Sequence, residues 1–461
     1  MLHLNWNKYN FRQCLVGVIV TIDVILVGAG YTFSATLLPQ LENEDSTIHV
    51  TRNEETWIAS ISSLTCIPGT LLGGMLHQFF GCKWAFSIIS FSNALAWGLL
   101  SLSTQVSHLL LGRAFQGLVS GLGFVVGFCF MSEVVDLKYR SILLNMMNIG
   151  CALGMLFVDL MGSYYAWQIS AYVLSALAVT YFLILLYLKN THVWYLHRGN
   201  VERAKELYFW YKDDSPKSEE DFRVEQKIAQ ITITYEELLK EWKRREFLVP
   251  FGVVLWFNTT VMCTGGVGIS LYSVEIMRSV VSIDEYMTTV ITDILRLIST
   301  FGINILLKYT SVRFTINLTS ILCSTTLLLI SLSLYLKDSW SGCSTIALIS
   351  IWTFNFFFNL GYINLAIISM GELFTGIGKS SGTTLSGMLY FGLFFACGQL
   401  VPMIFDNLGH VVAFLMFGCF TIVGGTGLFF IMPETKGVSN EQIRLNFQSK
   451  TKKCNKTFDN I

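Results

Sequence analysis

The feature that most constrains this chain is a series of apolar stretches, each about as long as a lipid bilayer is thick. A helix needs roughly 20 apolar residues to cross the hydrocarbon core, and the 461 residues contain twelve stretches of that kind. They are 13–35, 57–78, 84–105, 107–131, 142–163, 167–188, 249–273, 284–307, 314–336, 343–370, 381–404 and 410–432. Backbone polar groups in lipid must bond within their own segment, so the sequence predicts an all-α membrane protein with twelve transmembrane helices.

The composition excludes several other classes of protein. Only 13% of the residues are charged and 53% are hydrophobic, whereas a soluble domain is about 25% charged. Lys+Arg and Asp+Glu both number 31, which does not favour a nucleic-acid partner. The 11 cysteines are scattered without a CxxC pair, so we predict no disulfide framework and no metal site. The first stretch is too long for a signal peptide and a second span follows it.

The chain contains one long polar segment, 189–247, with twelve Lys/Arg and twelve Asp/Glu residues. Its pattern predicts short amphipathic helices, most clearly in VERAKELYFWY. We therefore expect an N-terminal six-helix bundle (1–188), a cytoplasmic helical linker (189–247), a C-terminal six-helix bundle (248–432) and a tail (433–461). Most Lys and Arg residues fall on the side of the termini, which predicts that both termini are cytoplasmic.

The two bundles share landmarks at matching positions. Glu133 precedes Arg140 by seven positions and Glu372 precedes Lys379 by seven, each just after the fourth span of its half. This indicates two six-helix pseudo-repeats, the arrangement of a transporter with its site at the midplane between them.

Several motifs resemble the sugar porter family of the major facilitator superfamily, especially its trehalose and hexose facilitators. They are PETKG at 433–437 after the last span, Gly112-Arg113 opening the fourth, the segment VWYLHRGNVERAKELYFWY, and LYSVEIM ending the seventh. The resemblance covers nearly the whole chain. It implies the twelve-helix fold and facilitative transport of a sugar by alternating access.

The resemblance also implies a cytoplasmic salt-bridge lock that holds the outward-facing state. Its candidate residues are Lys83, Glu133, Arg140, Arg313, Glu372 and Lys379. The family pattern has an acid at Gln78 and an arginine at Cys82, and in the second half an acid at Lys308. Losing these charges should weaken the lock, so we expect a lower barrier to opening inward.

The positions that hold the sugar in the family are altered further. The resemblance assigns substrate binding to Asn148, Arg296, Asn359, Asn364 and Tyr390, with Tyr272 as the outer gate. Side-chain amides suit sugars because they donate and accept hydrogen bonds, whereas a guanidinium only donates. The spans have lost amides at Val261, Met262 and Val267 and gained them in span ten.

Charges inside spans are candidates for function because they are costly in lipid. The spans hold Asp23, Arg113, Asp159, Asp293 and Arg296. We expect Asp23 to be a partnered structural acid, with Arg113 as its candidate partner, and we assign no role to Asp159. Asp293 and Arg296 share one helical face. Either they neutralise each other in the packing, or Arg296 faces the cavity and donates to substrate.

The sequence thus predicts a uniporter for a small polyhydroxylated solute that is not an enzyme and uses no cofactor. Two alternatives stay open: a porter of an organic anion recognised by Arg296, and a non-transporting sensor on a transporter fold. No GxxxxGK[ST] loop appears, so ATP-driven pumping is not indicated. We expect no nucleic-acid partner, a function as a monomer in the lipid bilayer, and a location in the plasma membrane.

Overall fold

The computed structural model describes residues 8–43, 46, 48–135, 137–212, 215–229, 240–280, 285–337, 342–374 and 379–433. Within these ranges the secondary structure is helical. The chain divides into two compact units, Met1–Thr232 and Ile233–Ile461. The predicted four-part division stays a prediction, and residues 434–461 of the tail lie outside the described residues.

Unit 1 contains eight described helices. They are α1 (Lys8–Leu41), α2 (Arg52–Ser101), α3 (Val106–Val134), α4 (Leu137–Tyr164), α5 (Trp167–Leu185), α6 (His192–His197), α7 (Val201–Tyr211) and α8 (Pro216–Ala229). The first five cross the membrane by length and composition. The helix predicted for VERAKELYFWY is α7, so that prediction is confirmed.

Unit 2 contains eight described α-helices and one π-helical segment. They are α9 (Arg245–Cys263), α10 (Gly266–Leu271), α11 (Ser273–Val280), α12 (Glu285–Tyr309), α13 (Val312–Tyr335), α14 (Cys343–Phe357), the π segment (Phe358–Ile363), α15 (Asn364–Glu372) and α16 (Lys379–Ile431). The candidate spans are α9, α12, α13, α14 continued through α15, and α16.

Two long helices each contain two of the predicted spans. Arg52–Ser101 has 50 residues and is broken at Gly81 (φ 72°, ψ 173°). Ser381–Ile431 lies within a helix broken at Gly409 (φ 74°, ψ 163°). Only glycine adopts this backbone conformation readily. Dividing the ten candidate spans at these two glycines gives the twelve predicted transmembrane segments, six in each unit.

The start of α2 is fixed by a capping box. Thr51 Oγ1 accepts a hydrogen bond from the Glu54 backbone N–H, and the Thr51 N–H donates to Glu54 Oε2 at 2.8 Å. Such caps satisfy N–H groups that have no partner inside the helix. The sequence therefore specifies this helix start locally.

Glycines set the close packing between helices of unit 1. A Cβ added to Gly28 of α1 would lie 2.1 Å from the Cys151 carbonyl oxygen, and one added to Gly154 of α4 would lie 2.0 Å from that of Ile25. Gly117 of α3 approaches the Ser62 carbonyl oxygen in the same way. Small residues allow this approach in lipid, where helices gain little from the hydrophobic effect.

Large apolar side chains also point away from the helix packing. Leu111 is 66% exposed and Phe79 is 60% exposed, whereas Trp97 is fully buried against Phe33 with ring centroids 5.2 Å apart. Such an apolar exterior suits lipid as the surrounding solvent.

The polar central segment packs against α1 in unit 1. Arg12 Nη1 donates to the Trp210 carbonyl at 2.6 Å, and its guanidinium lies 4.2 Å from the Trp210 ring. Gln13 Nε2 donates to the Tyr211 carbonyl at 3.3 Å, and Tyr211 is fully buried. Helix α7 is thus docked on the end of the bundle through specific bonds.

Candidate functional site

Arg113 is the centre of a buried polar network in unit 1. It is fully buried on α3 and uses its guanidinium to join α1, α2 and α3. Nη1 donates to the Gly30 carbonyl at 2.7 Å and to Gln116 Oε1, and Nε donates to the Ile58 carbonyl at 3.1 Å. Nη2 donates to Ser34 Oγ at 3.0 Å and to Ser62 Oγ at 3.1 Å.

These bonds show that the predicted pairing of Asp23 with Arg113 is wrong. A guanidinium has five N–H donors, and all five donate to the groups named above. Asp23 is 1% exposed and its Oδ1 has no hydrogen-bond partner. Its Oδ2 faces Gly123 of α3, where an added Cβ would lie 2.5 Å away. Asp159 is also buried, on α4.

The candidate lock residues of unit 1 have partners that were not predicted. Glu133 Oε1 lies 3.1 Å from His77 Nε2, and Glu133 Oε2 lies 3.9 Å from the Cys82 thiol, which donates to it. Lys83 Nζ donates to the Leu186 carbonyl at 2.8 Å. The Arg140 side chain lies outside the described residues. Sequence analysis missed His77 because the family pattern draws attention to its neighbour at position 78.

The candidate lock residues of unit 2 are less completely described. Arg313 Nε donates to the Met432 carbonyl, which ties the start of α13 to the end of α16. Glu372 is half-buried at the end of α15. The Lys379 side chain lies outside the described residues.

Asp293 and Arg296 form a buried ion pair on α12. Arg296 Nη1 donates to Asp293 Oδ1 at 2.6 Å, and the side chains are 6% and 2% exposed for Arg296 and Asp293. Arg296 Nη2 donates to Ser270 Oγ of α10 at 2.8 Å. The two charges therefore balance each other, as the first of the two sequence interpretations expects, and the donation of Arg296 to substrate stays a prediction. The pair also joins α12 to α10.

Three asparagines follow one another through span ten. Asn355 Nδ2 donates to the Ile351 carbonyl at 3.0 Å, Asn359 Nδ2 to the Asn355 carbonyl at 2.8 Å, and Asn364 Nδ2 to the Asn359 carbonyl at 2.6 Å. The last two lie in or directly after the π segment, whose wider turn frees backbone carbonyls as acceptors. Single π-helical turns occur often at functional sites.

The remaining predicted substrate and gate residues each make a specific contact within their own unit. Asn148 Nδ2 of α4 donates to Asn145 Oδ1 at 3.3 Å. Tyr390 is 6% exposed and packs edge-on against Phe391 with centroids 5.5 Å apart. The Tyr272 hydroxyl donates to the Gly398 carbonyl at 2.9 Å, so this candidate gate is tied to α16.

Two further buried amides were missed by sequence analysis. Asn258 of α9 is fully buried and neither amide atom has a hydrogen-bond partner among the described residues. Asn355 Oδ1 also has none. Buried amides that lack partners are costly and call for a water or a ligand. Asn258 begins an Asn-Thr-Thr glycosylation pattern. Its position within a predicted span argues against glycosylation and indicates a buried polar group.

The polar central segment, which lies outside the spans, contains a cluster of charged groups that shifts the pKa of Glu225. Glu225 Oε2 lies 2.6 Å from His192 Nε2, and Glu225 Oε1 accepts from Lys212 Nζ at 3.3 Å. Burial raises the pKa of Glu225, but the hydrogen bonds and charges of His192 and Lys212 outweigh it and leave the pKa lowered. This ion pair network holds α8 against α6 and α7.

The structure has the fold of a multi-pass membrane protein of the major facilitator superfamily. It matches the partially occluded inward-open xylose transporter XylE from E. coli with a TM-score of 0.73 at 14% identity, covering 92% of this chain and 98% of that one. It matches the proton:xylose symporter XylE bound to 6-bromo-6-deoxy-D-glucose equally well, covering 94% and 98%.

A family model described as "Sugar (and other) transporter" matches residues 11–447. The chain belongs to that family, and it is therefore a membrane transporter rather than an enzyme. A facilitated trehalose transporter, Tret1, from Culex quinquefasciatus is 25% identical over 451 residues, which are 95% of this chain and 86% of that relative. The Tret1 of Anopheles gambiae is 23% identical over 96% of this chain, which spans 57% of that relative's length.

Proposed function

We propose that this chain is a facilitative uniporter for a neutral, polyhydroxylated solute of the hexose or trehalose class. The solute-binding site would open alternately to the two sides of the membrane and so carry the solute across. Membership of the sugar transporter family and relatives described as facilitated trehalose transporters support the solute class. The Lys/Arg distribution supports cytoplasmic termini. We further propose that the protein is located in the plasma membrane and functions as a monomer.

The neutral Asp293–Arg296 pair is the observation that carries this choice of solute. An anion site needs a positive charge that is not already balanced. Arg296 is within 2.6 Å of Asp293 and also donates to Ser270. A neutral sugar hydroxyl can accept from such a guanidinium without disturbing the charge balance, whereas a carboxylate solute would compete with Asp293.

The amides of span ten provide further hydrogen-bonding groups for a sugar. Asn359 and Asn364 each use Nδ2 on a backbone carbonyl, and an amide also has a second N–H and a carbonyl oxygen. Sugar hydroxyls donate and accept, so they match both groups. We propose Asn148 and Tyr390 as further solute-binding residues, Tyr272 as the outer gate and Arg296 as a donor to the solute.

The proposal is tested by uptake into liposomes that contain the purified full chain. Labelled glucose and trehalose should equilibrate without concentrating, and a pH gradient should not change the final level. Asn359→Ala should lower uptake at least about tenfold, since a site built to bond a hydroxyl loses that much when one partner is removed. Asn407→Ala is the matched control, because Asn407 is an exposed amide that also bonds its own helix.

The same assay separates the alternatives. If organic anions enter, sugars do not, and Arg296→Gln abolishes entry, the protein is an anion porter and the proposal fails. If no solute enters while the protein stays folded, the sensor hypothesis replaces transport.

A further inference from the structure

We propose that His77, Cys82 and Glu133 form a Zn²⁺-binding site at one end of unit 1. One nitrogen, one sulfur and one carboxylate oxygen from these residues all lie within 4.8 Å of one another. These are the ligand types that Zn²⁺ takes in proteins. The sequence predicted no metal site because its cysteines form no CxxC pair. Cys82 and Glu133 are 51 positions apart in the chain, so no short ligand motif connects them.

The backbone explains why the three residues converge. Gly81 breaks α2 at φ 72°, and His77 near the end of the first half of α2 lies close to Cys82 at the start of its second half. Glu133 lies one residue before the last residue of α3, which packs along α2. The ligands thus come from helix ends held by the bundle, where their positions are fixed before any ion binds.

The distances fit tetrahedral coordination. Bond lengths of about 2.0–2.1 Å to nitrogen or oxygen and about 2.3 Å to sulfur place ligand atoms roughly 3.3–3.6 Å apart around Zn²⁺. His77 Nε2 and Glu133 Oε1 are 3.1 Å apart, and Cys82 Sγ and Glu133 Oε2 are 3.9 Å apart. Small side-chain adjustments would bring all three onto one ion and leave a fourth position open to water.

The orientation of His77 adds a separate observation. Its Nε2 is buried and makes no hydrogen bond of acceptable geometry, although Glu133 Oε1 is only 3.1 Å away. The contact is therefore close but misaligned, as expected where two ligands point at a shared position between them. The His77 and Glu133 side chains are 17% and 12% exposed, which gives an ion a path to the fully buried Cys82.

Charge balance also favours a dication. In the family pattern an arginine stands at the position of Cys82. The side chain at this position therefore brings no positive charge to Glu133. A Zn²⁺ ion bound to one thiolate, one carboxylate and a neutral imidazole has no net charge. On binding, the Cys82 thiol proton leaves to solvent or buffer and the S–H bond is replaced by an S–Zn bond, with no change of oxidation state.

The test uses Co²⁺ as a spectroscopic substitute for Zn²⁺ on the purified full chain in detergent. A thiolate ligand should produce a sulfur-to-cobalt charge-transfer band, and Zn²⁺ should displace it. Cys82→Ser should abolish the band, and His77→Gln should weaken Co²⁺ affinity at least about tenfold, because even the loss of a residue that only supports a metal ligand costs that much. Cys419→Ser and His108→Gln should change neither, because both residues are exposed elsewhere.

The wild-type spectrum needs no variant to fold, so it tests the proposal by itself. A saturating Co²⁺ titration without a charge-transfer band would overturn the site. A band that survives in Cys82→Ser, or one that disappears in Cys419→Ser, would also overturn it by assigning the thiolate to another cysteine. Sugar uptake is not part of the readout, so this result is independent of the proposed transport function.

Discussion

The Asp293–Arg296 pair gives the sharpest prediction, because removing either partner should cost more than removing both. The pair is 2.6 Å long and both side chains are almost inaccessible. Breaking a buried pair leaves an uncompensated charge and costs roughly 3–5 kcal/mol, whereas replacing both partners by apolar residues is often close to neutral. We therefore expect Asp293→Leu and Arg296→Met each to destabilise the protein strongly, and the double variant to recover most of the loss.

The measurement is a double-mutant cycle of thermal unfolding on the purified full chain. Its control is the Arg203–Glu206 pair of α7, which has the same spacing but is 50% and 53% exposed. An exposed pair contributes about 0–1 kcal/mol, so Glu206→Gln should leave the unfolding midpoint nearly unchanged. The comparison separates the effect of burial from that of the ion pair alone.

The pair also determines a prediction about selectivity. Asp293→Asn keeps the shape of the side chain but leaves the Arg296 charge unbalanced, so entry of small organic anions should rise relative to glucose. The reasoning is refuted if the double variant is no more stable than either single variant. It is equally refuted if Asp293→Asn behaves like the wild type in both stability and anion uptake.

Three further predictions concern unit 1. Gly81→Ala should cost roughly 1–3 kcal/mol of stability, since its backbone conformation strains any Cβ and the added atom would lie 2.3 Å from Asn190 Nδ2; Gly74→Ala, which meets nothing within 4 Å, is the control in thermal unfolding. Arg113→Lys should lower the free energy of unfolding by roughly 3 kcal/mol, because an ammonium cannot reproduce the fork of five donors. An unchanged midpoint of thermal unfolding in this variant would contradict the prediction. The pKa of Glu225 is lowered from its ordinary value of 4.5, so the charged side chain stabilises the fold fully above that pH and loses this effect as the pH falls toward the lower folded value. The wild type should therefore be more stable than Glu225→Gln at neutral pH, and the difference in unfolding free energy should narrow as the pH falls. A difference that stays constant across pH would contradict this prediction.

The transmembrane architecture was predictable from the sequence because it depends on local properties. A stretch of about 20 apolar residues can satisfy its backbone only as a helix in lipid. The twelve spans were therefore found, including the two within Arg52–Ser101 that are separated at Gly81. The close approach at Gly28 and Gly154 follows from the same preference for small residues between helices in lipid.

The partners of the buried polar groups were not predictable, because they depend on which helices meet. Asp23 and Arg113 were expected to attract each other as the opposite charges of neighbouring spans. Instead Arg113 donates to Ile58 of α2 and to Gly30 and Ser34 of α1. Gly30 and Ser34 lie about two and three helical turns along α1 from Asp23. Sequence spacing gives the face of one helix but not the depth at which its neighbour presents an acceptor.

The sequence by itself determined the spans, their division into two halves and the spacing that places Asp293 and Arg296 on one face. Only the tertiary structure decided that Arg296 also reaches Ser270, and that Glu133 meets His77 and Cys82. The physical reason is the range of the interactions involved. Helix formation is local, whereas the geometry of a buried ion pair or ligand cluster is set within a few tenths of an ångström by the packing of separate helices.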